Sequence, residues 1–278
     1  ACLPKPLGLR LSQNTHIIGV NQPLGQMYGY VTDGLYQVSD FDYDAATKTY
    51  TLKDGVPYAG EKGNVKPGMW KFKNIDGSKD NKITEADKTV IGNAYPKIYG
   101  GINNTFTYKD FDLSIFLTYS IGNDVFNATK LTNTKTALQN KNVLAVADSK
   151  HRWVLVNKAG DLITDPQEMA DINKGKTVAA IYDNEAGDTY IHSWAVEDGS
   201  FLKLSNITLG YTFPKKMIRK VGLSKLRLYA TGSNLLTWTK YSGFDPEVST
   251  MGNGLTPGVD FGAYPRSRAF VFGINLAF

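Results

Sequence analysis

The sequence predicts an all-β protein, a portion of a large antiparallel transmembrane β-barrel, and three observations predict it. Residues Ala269-Phe-Val-Phe-Gly-Ile-Asn-Leu-Ala-Phe278 put Phe270, Phe272, Ile274, Leu276 and Phe278 on one face of an extended strand, because strand side chains alternate with period two. Several other segments repeat that alternation. The connections between them alternate short and long, as in outer-membrane barrels, where short periplasmic turns and long extracellular loops join the strands. A soluble sandwich with these stripes facing its core is the competing reading, although an apolar edge strand at a terminus invites aggregation.

Taken in order, strands are expected near 9–20 and 24–32, joined by the turn Asn21-Gln-Pro-Leu-Gly25. A strand at 98–108 pairs through Lys109-Asp110 with one at 111–121, which sets Phe111, Leu113, Ile115, Leu117 and Tyr119 on one face. The strand at 201–213 alternates Ile207, Leu209, Tyr211 and Phe213 with polar or small residues, and the one at 223–232 does so with Leu226, Leu228 and Ala230. The last runs over 267–278. Residues 33–97, 122–200 and 233–266 are then three long extracellular loops, and a compact soluble domain rarely carries three of that length. Threading back from a periplasmic C-terminus leaves every short connection on one side and every long one on the other. About six or seven strands with such loops fit a sector of a larger barrel better than a small closed one. A short helix is expected within 137–153.

With 278 residues the chain has no apolar run near the ~18 that a membrane helix needs. Barrel strands need only ~9–11 residues, half of them facing a polar lumen. The 27 Gly, 16 Tyr and 13 Phe suit a β-rich fold. The net charge of +5 comes from scattered basic residues whose densest group, Pro214-Lys-Lys-Met-Ile-Arg-Lys220, reads as a solvated turn. No nucleic-acid partner is expected. Cys2 is the lone cysteine, so no intrachain disulfide forms. The sequence starts without an initiator Met or an export signal, so it is expected to be a piece of a longer protein.

Asp76-Gly-Ser-Lys-Asp-Asn-Lys-Ile-Thr-Glu-Ala-Asp87 fits the twelve-residue register of an EF-hand-type calcium loop. Asp76, Ser78, Asp80, the Lys82 carbonyl, Thr84 and Asp87 take the six ligand positions, so Ca2+ is the expected cofactor. Ser78, Asn81 and Asp87 depart from the usual Asp or Asn, Gly and Glu, which weakens affinity toward ~10⁻⁴–10⁻³ M. A polar Asx-turn loop without an ion is the alternative.

A family resemblance rests on several stretches. They are Tyr28-Gly-Tyr-Val-Thr-Asp-Gly-Leu-Tyr36, Pro67-Gly-Met-Trp-Lys-Phe-Lys-Asn-Ile-Asp-Gly77, Thr89-Val-Ile-Gly-Asn93 with Pro96-Lys97, and Asn104-Thr-Phe-Thr-Tyr-Lys-Asp-Phe-Asp-Leu-Ser114. Gly122-Asn-Asp124, Phe201-Leu-Lys-Leu-Ser-Asn-Ile-Thr-Leu-Gly-Tyr211, Gly243-Phe-Asp-Pro-Glu247 and Tyr264-Pro-Arg-Ser-Arg268 follow. From about Gly19 onward the chain resembles the C-terminal part of SusC/RagA-type TonB-dependent outer-membrane transporters of the Bacteroidetes. That resemblance implies a 22-stranded barrel filled by an N-terminal plug, importing oligosaccharides or peptides beneath a SusD-like surface lipoprotein. It implies energy delivered by TonB to a box near the N-terminus, outer-membrane lipid around the wall, and a C-terminal assembly signal at Gly273, Leu276 and Phe278. Neither the plug nor the TonB box lies in this sequence.

No enzyme is expected. His16, His151 and His192 are isolated, and no Gly-x-Ser-x-Gly, His-Glu-x-x-His or phosphate-binding glycine loop occurs. Glu185, Asp188, Glu197 and Asp198 could supply a glycosidase pair, but carboxylates are common in loops. Trp153, Trp194 and Trp238 could stack on sugar rings or sit in a loop core or an interfacial belt. The competing function is a soluble all-β calcium- and glycan-binding module.

Overall fold

In a computed structural model, residues 15–134, 142–182, 190–250 and 254–278 are described. Five long strands form one antiparallel sheet in chain order. They are β1 (Ile98–Tyr108), β2 (Phe111–Ile121), β3 (Phe201–Thr212), β4 (Lys225–Thr239) and β5 (Ala269–Ala277). At one end the connections are tight, with Lys109 in left-handed backbone between β1 and β2. There the β3–β4 turn folds into the short helix Lys215–Ile218 and a 3-10 turn, Arg219–Val221. At the other end the chain makes its long excursions.

Register assigns every side chain of this sheet to a face. Ile102 is opposite Leu117, Phe106 opposite Leu113, and Tyr108 opposite Phe111. Leu113 then meets Leu209, Leu209 meets Ala230, and Ala230 meets Phe272. One face is thus apolar across all five strands, with Asn104 its polar exception. The opposite face carries Asn103, Asp112, Ser114, Thr118, Lys203, Asn206, Thr208, Arg227, Thr231 and Ser233. Opposed side chains share a face, so one hydrophobic pattern repeated in phase yields two unlike surfaces.

β3 holds that phase by a bulge. Phe116 and Leu117 are neighbours on β2, but their partners Asn206 and Leu204 leave Ser205 between them. The Ser205 hydroxyl shares a 2.7 Å hydrogen bond with Thr118 on the polar face. Leu204 and Ile207, three residues apart, therefore both lie on the apolar face.

Among the described residues the long sheet holds five strands, against the six or seven expected from sequence. Residues 9–14 lie outside the described residues, and the rest of the first two expected strands form only His16–Ile17 and Gln26–Gly29. These pair with each other and with Thr89–Asn93 in a separate three-stranded sheet. Four residues reach only ~13 Å, too short for the ~25 Å apolar band of a barrel wall. β4 runs seven residues past the expected 232, so the third excursion starts near 240 rather than 233. Of the helix expected in 137–153, residues 137–141 lie outside the described residues, and the remainder holds a 3-10 turn at Ala145–Ala147. Helices form instead at Ala128–Asn133, capped by the Asn127 side chain, and at Pro166–Ile172, capped by Asp165.

The excursions are folded. Tyr30, Leu35, Trp70, Phe72, Trp153 and Met169 anchor one core. Met27, Phe126, Leu131, Ala195 and Val259 form a second, and Tyr36, Phe41, Leu52 and Val65 a third. Each of the first two cores draws residues from more than one excursion, which joins them into a cap at that end of the sheet.

Candidate functional site

The polar face and the cap meet at the loop end. On the polar face, Asp112 of β2 reaches across β3 to Arg227 of β4, with Nε–Oδ1 at 3.0 Å and Nη2–Oδ2 at 2.5 Å. The pair crosses directly above Gly210, where a Cβ would come within 2.4 Å of the guanidinium. Arg227 also lies 5.2 Å from the Tyr229 ring centre, and that ring fills the space where a Cβ at Gly273 of β5 would stand. Two glycines thus open a trough in which a charged and aromatic ladder spans four strands. Ser233–Asn206 and Thr208–Thr231 hydrogen bonds extend the polar surface.

Nearer the cap, Lys203 on β3 is almost fully buried and bonds Glu247 at 2.6 Å. Arg266 approaches the same carboxylate oxygen at 3.4 Å. This buried pair fastens the third excursion to the wall. Beside it a cleft of ≈ 420 Å³ opens between wall and cap, lined by Tyr99, Thr118, Ser120, Phe201, Pro246 and Glu247 among others.

Gly122-Asn-Asp124 is the joint at the top of β2. Gly122 turns the chain in left-handed backbone and donates its N–H to Ser200. Asn123 accepts from Ser120 and donates to the Gly199 carbonyl, and Asp124 accepts the Asn93 N–H at 2.8 Å. Glu197 takes the Ser242 N–H and hydroxyl, both at 2.8 Å, and Lys130 at 2.9 Å. Burial alone would raise the Glu197 carboxyl, but the Ser242 and Lys130 donors outweigh it and hold it below the usual range. Tyr241 donates to Asp260 at 2.6 Å, with burial and that carboxylate pushing its phenol far up.

The residues in calcium-loop register lie on one surface segment. Asp76 and Asp80 are exposed and close Asx turns on the Ser78 and Lys82 N–H groups. Asp80 is held below the ordinary carboxylate range by the Lys82 N–H and the Ser78 side chain. Asp87 is fully buried and accepts the Ile75, Asp76 and Thr84 N–H groups, while Thr84 caps the 3-10 turn Glu85–Asp87. Among the described residues no three His, Cys, Asp or Glu side chains converge as a metal-holding group.

Glu185 and Asp188 lie outside the described residues. Glu197 is occupied as above, and Asp198 caps Ser200, so these two do not face each other as an acid–base pair. Trp153 is buried in the first core, and Trp194 packs on Trp70 with Lys130 over its ring at 4.2 Å. Trp238 sits half exposed on the apolar face at the loop end. His16 pairs with Thr15, His151 with Asp148, and His192 with Thr32. The ion pairs Asp112–Arg227 and Lys203–Glu247 escape sequence reading. Their members stand 115 and 44 residues apart. For Asp112 and Arg227 the available signal is a charge at polar-face parity within an apolar strand, whereas Lys203 shares the odd numbering of Ile207 and Leu209 and reaches the polar face only through the bulge.

No family model matches the chain. A TonB-dependent receptor of Formosa agariphila is 30% identical over 273 residues, covering 96% of this chain and 23% of that protein. A second from the same organism is 29% identical over 95% of this chain and 26% of its own length. TonB-dependent receptor SusC of Bacteroides thetaiotaomicron is 28% identical over 73% of this chain and 17% of its own. Among solved structures, the RagAB peptide transporter superposes with a TM-score of 0.61 at 20% identity, covering 95% of this chain and 23% of that one. The RagAB peptide importer in its open-open state gives 0.62 at 19% identity. The chain spans about a quarter or less of the length of the relatives it matches. At this identity the structures show the fold alone, a sector of a barrel wall.

Proposed function

From a chain that is a segment of a SusC/RagA-type TonB-dependent receptor, we propose a role as one sector of an outer-membrane importer, with wall strands facing lipid and a folded cap over the lumen. The observation that carries this is the inequality of the two sheet faces: the apolar one is continuous and bare, the polar one is cross-linked by ion pairs. Phe270 is 68% and Phe272 80% exposed, and among the described residues no second layer covers them. A soluble sandwich would bury that stripe, so the binding-module reading is disfavoured. Cargo, an oligosaccharide or a peptide, would pass along the polar face by binding and gating, without covalent chemistry. The remaining barrel and plug, a SusD-like lipoprotein lid and TonB would come from outside this chain.

The full-length receptor should require detergent, migrate faster on gels before boiling than after, and co-purify with a surface lipoprotein. A monodisperse 30.6 kDa monomer of this chain in plain buffer would defeat the reading.

We also propose weak Ca2+ binding at Asp76, Ser78, Asp80, Lys82, Thr84 and Asp87. The register supports it. Against tight binding stands the use of both Asp87 oxygens by backbone N–H groups. Calorimetric titration after chelation should show millimolar binding, and silence at that concentration excludes the site.

A further inference from the structure

The short-turn end of the sheet carries an unbalanced charge. Thr212 donates its N–H to the Asp110 carbonyl, so the Lys109-Asp110 turn borders the β3–β4 turn. Together they bring Lys109, Lys215, Lys216, Arg219, Lys220 and Lys225 to one end, all exposed, against Asp110 as the single acidic side chain. Asp112 and Arg227 neutralise each other nearby. Six cations less one anion is +5, the formal net charge of the whole chain, so the remainder is balanced. None of the six forms an ion pair among the described residues. Lys109 instead lies 5.3 Å from the Tyr108 ring centre.

The turn is also amphipathic. Steps of about 100° per residue spread Lys215, Lys216, Arg219 and Lys220 over one arc of Lys215–Val221. Met217 and Val221 share the adjacent arc, 59% and 70% exposed, while Ile218 packs inward at 4%. This patch continues directly from Tyr211 and Leu226, the last apolar-face positions of β3 and β4. Exposed aliphatic groups beside unpaired cations, at the rim of an apolar band, match the boundary where acyl chains meet phosphates.

We propose that this end is a docking surface for anionic phospholipid headgroups of the adjoining leaflet, with Met217 and Val221 entering the acyl boundary. The assignment rests on the barrel reading above. It replaces the solvated turn read from sequence with a lipid-binding one.

Native mass spectrometry of the detergent-purified full-length receptor, incubated with equimolar phosphatidylglycerol and phosphatidylethanolamine, tests it. Wild type should retain phosphatidylglycerol preferentially. K215Q/K216Q/R219Q/K220Q should lower that preference at least tenfold, since each cation near an anionic surface is worth about fivefold before screening. Raising the salt should weaken retention of wild type in parallel. M217S/V221S keeps the charge and should lower retention of both lipids; it serves if the fourfold variant fails to assemble. Equal lipid retention by heat-modifiable wild-type and variant receptor overturns the proposal and leaves the barrel intact. A wild-type receptor that is not heat-modifiable counts against the barrel itself.

Discussion

The wall and the cap use the same residue types in opposite ways. In the wall Phe270 and Phe272 are more than two-thirds exposed, whereas in the cap Phe72, Phe126 and Trp153 are at most 2% exposed. Wall strands satisfy their backbone through ladder bonds and keep their polar side chains on one face. The cap has short strands and joins distant segments through side-chain bonds such as Glu197–Ser242 and Tyr241–Asp260. Aromatic content therefore does not separate a membrane-facing region from a water-facing one. Phase does: apolar residues at even spacing over ten positions make a wall, and the same residues without a period make a core.

Four substitutions would break or sharpen that contrast. Trp153→Ala should cost the cap about 3–5 kcal/mol, the usual loss for a buried Trp. Limited proteolysis should then cut within 15–97 and 142–200, while heat-modifiability of the wall persists. Phe272→Arg should act the other way and destabilise the wall by about 2–4 kcal/mol through a charge on the apolar face. It should reduce assembled receptor in outer-membrane fractions, and normal levels would mean that this face does not meet lipid.

Glu197→Gln should loosen the cap by about 1–2 kcal/mol, because Lys130 and Ser242 lose a charged acceptor. Its pH dependence has a defined sign. With the folded pKa held below the unfolded one, the stabilisation is complete above about pH 4.5 and fades as pH falls through the folded value. Wild-type cap stability should drop in that acid window and the variant's should stay flatter. Asp112→Asn should have the smallest effect, below about 1 kcal/mol, since the pair is partly exposed. Thermal melts at two salt concentrations would detect it.

The wall was largely legible from sequence because its information is local. Ile207, Leu209 and Tyr211 declare their face by alternation alone, and Lys109-Asp110 declares a tight turn. The cap was not, because its order is carried by contacts distant in sequence. Tyr28-Gly-Tyr30 reads as part of a wall strand over 24–32, yet Tyr30 belongs to a core with Trp70 and Trp153. In the acidic loop the spacing suggests a calcium register, but it does not show that Asp87 turns its oxygens to the backbone.

The Ser205 bulge can be understood as a frame correction. From Ile207 to Phe213 the chain is read in one frame of odd-numbered residues, and from Leu204 back to Leu202 in the other. The extra residue is the point where the frames change. Were Ser205 drawn into regular pairing, every side chain would stay chemically intact, yet the upper half of the strand would be transposed. Leu202 and Leu204 would turn toward the polar face and Lys203 outward, away from Glu247. Deleting Ser205 instead leaves Leu204 next to Asn206 in plain alternation, and each keeps its face. One looped-out residue thus decides which solvent that stretch of wall is addressed to.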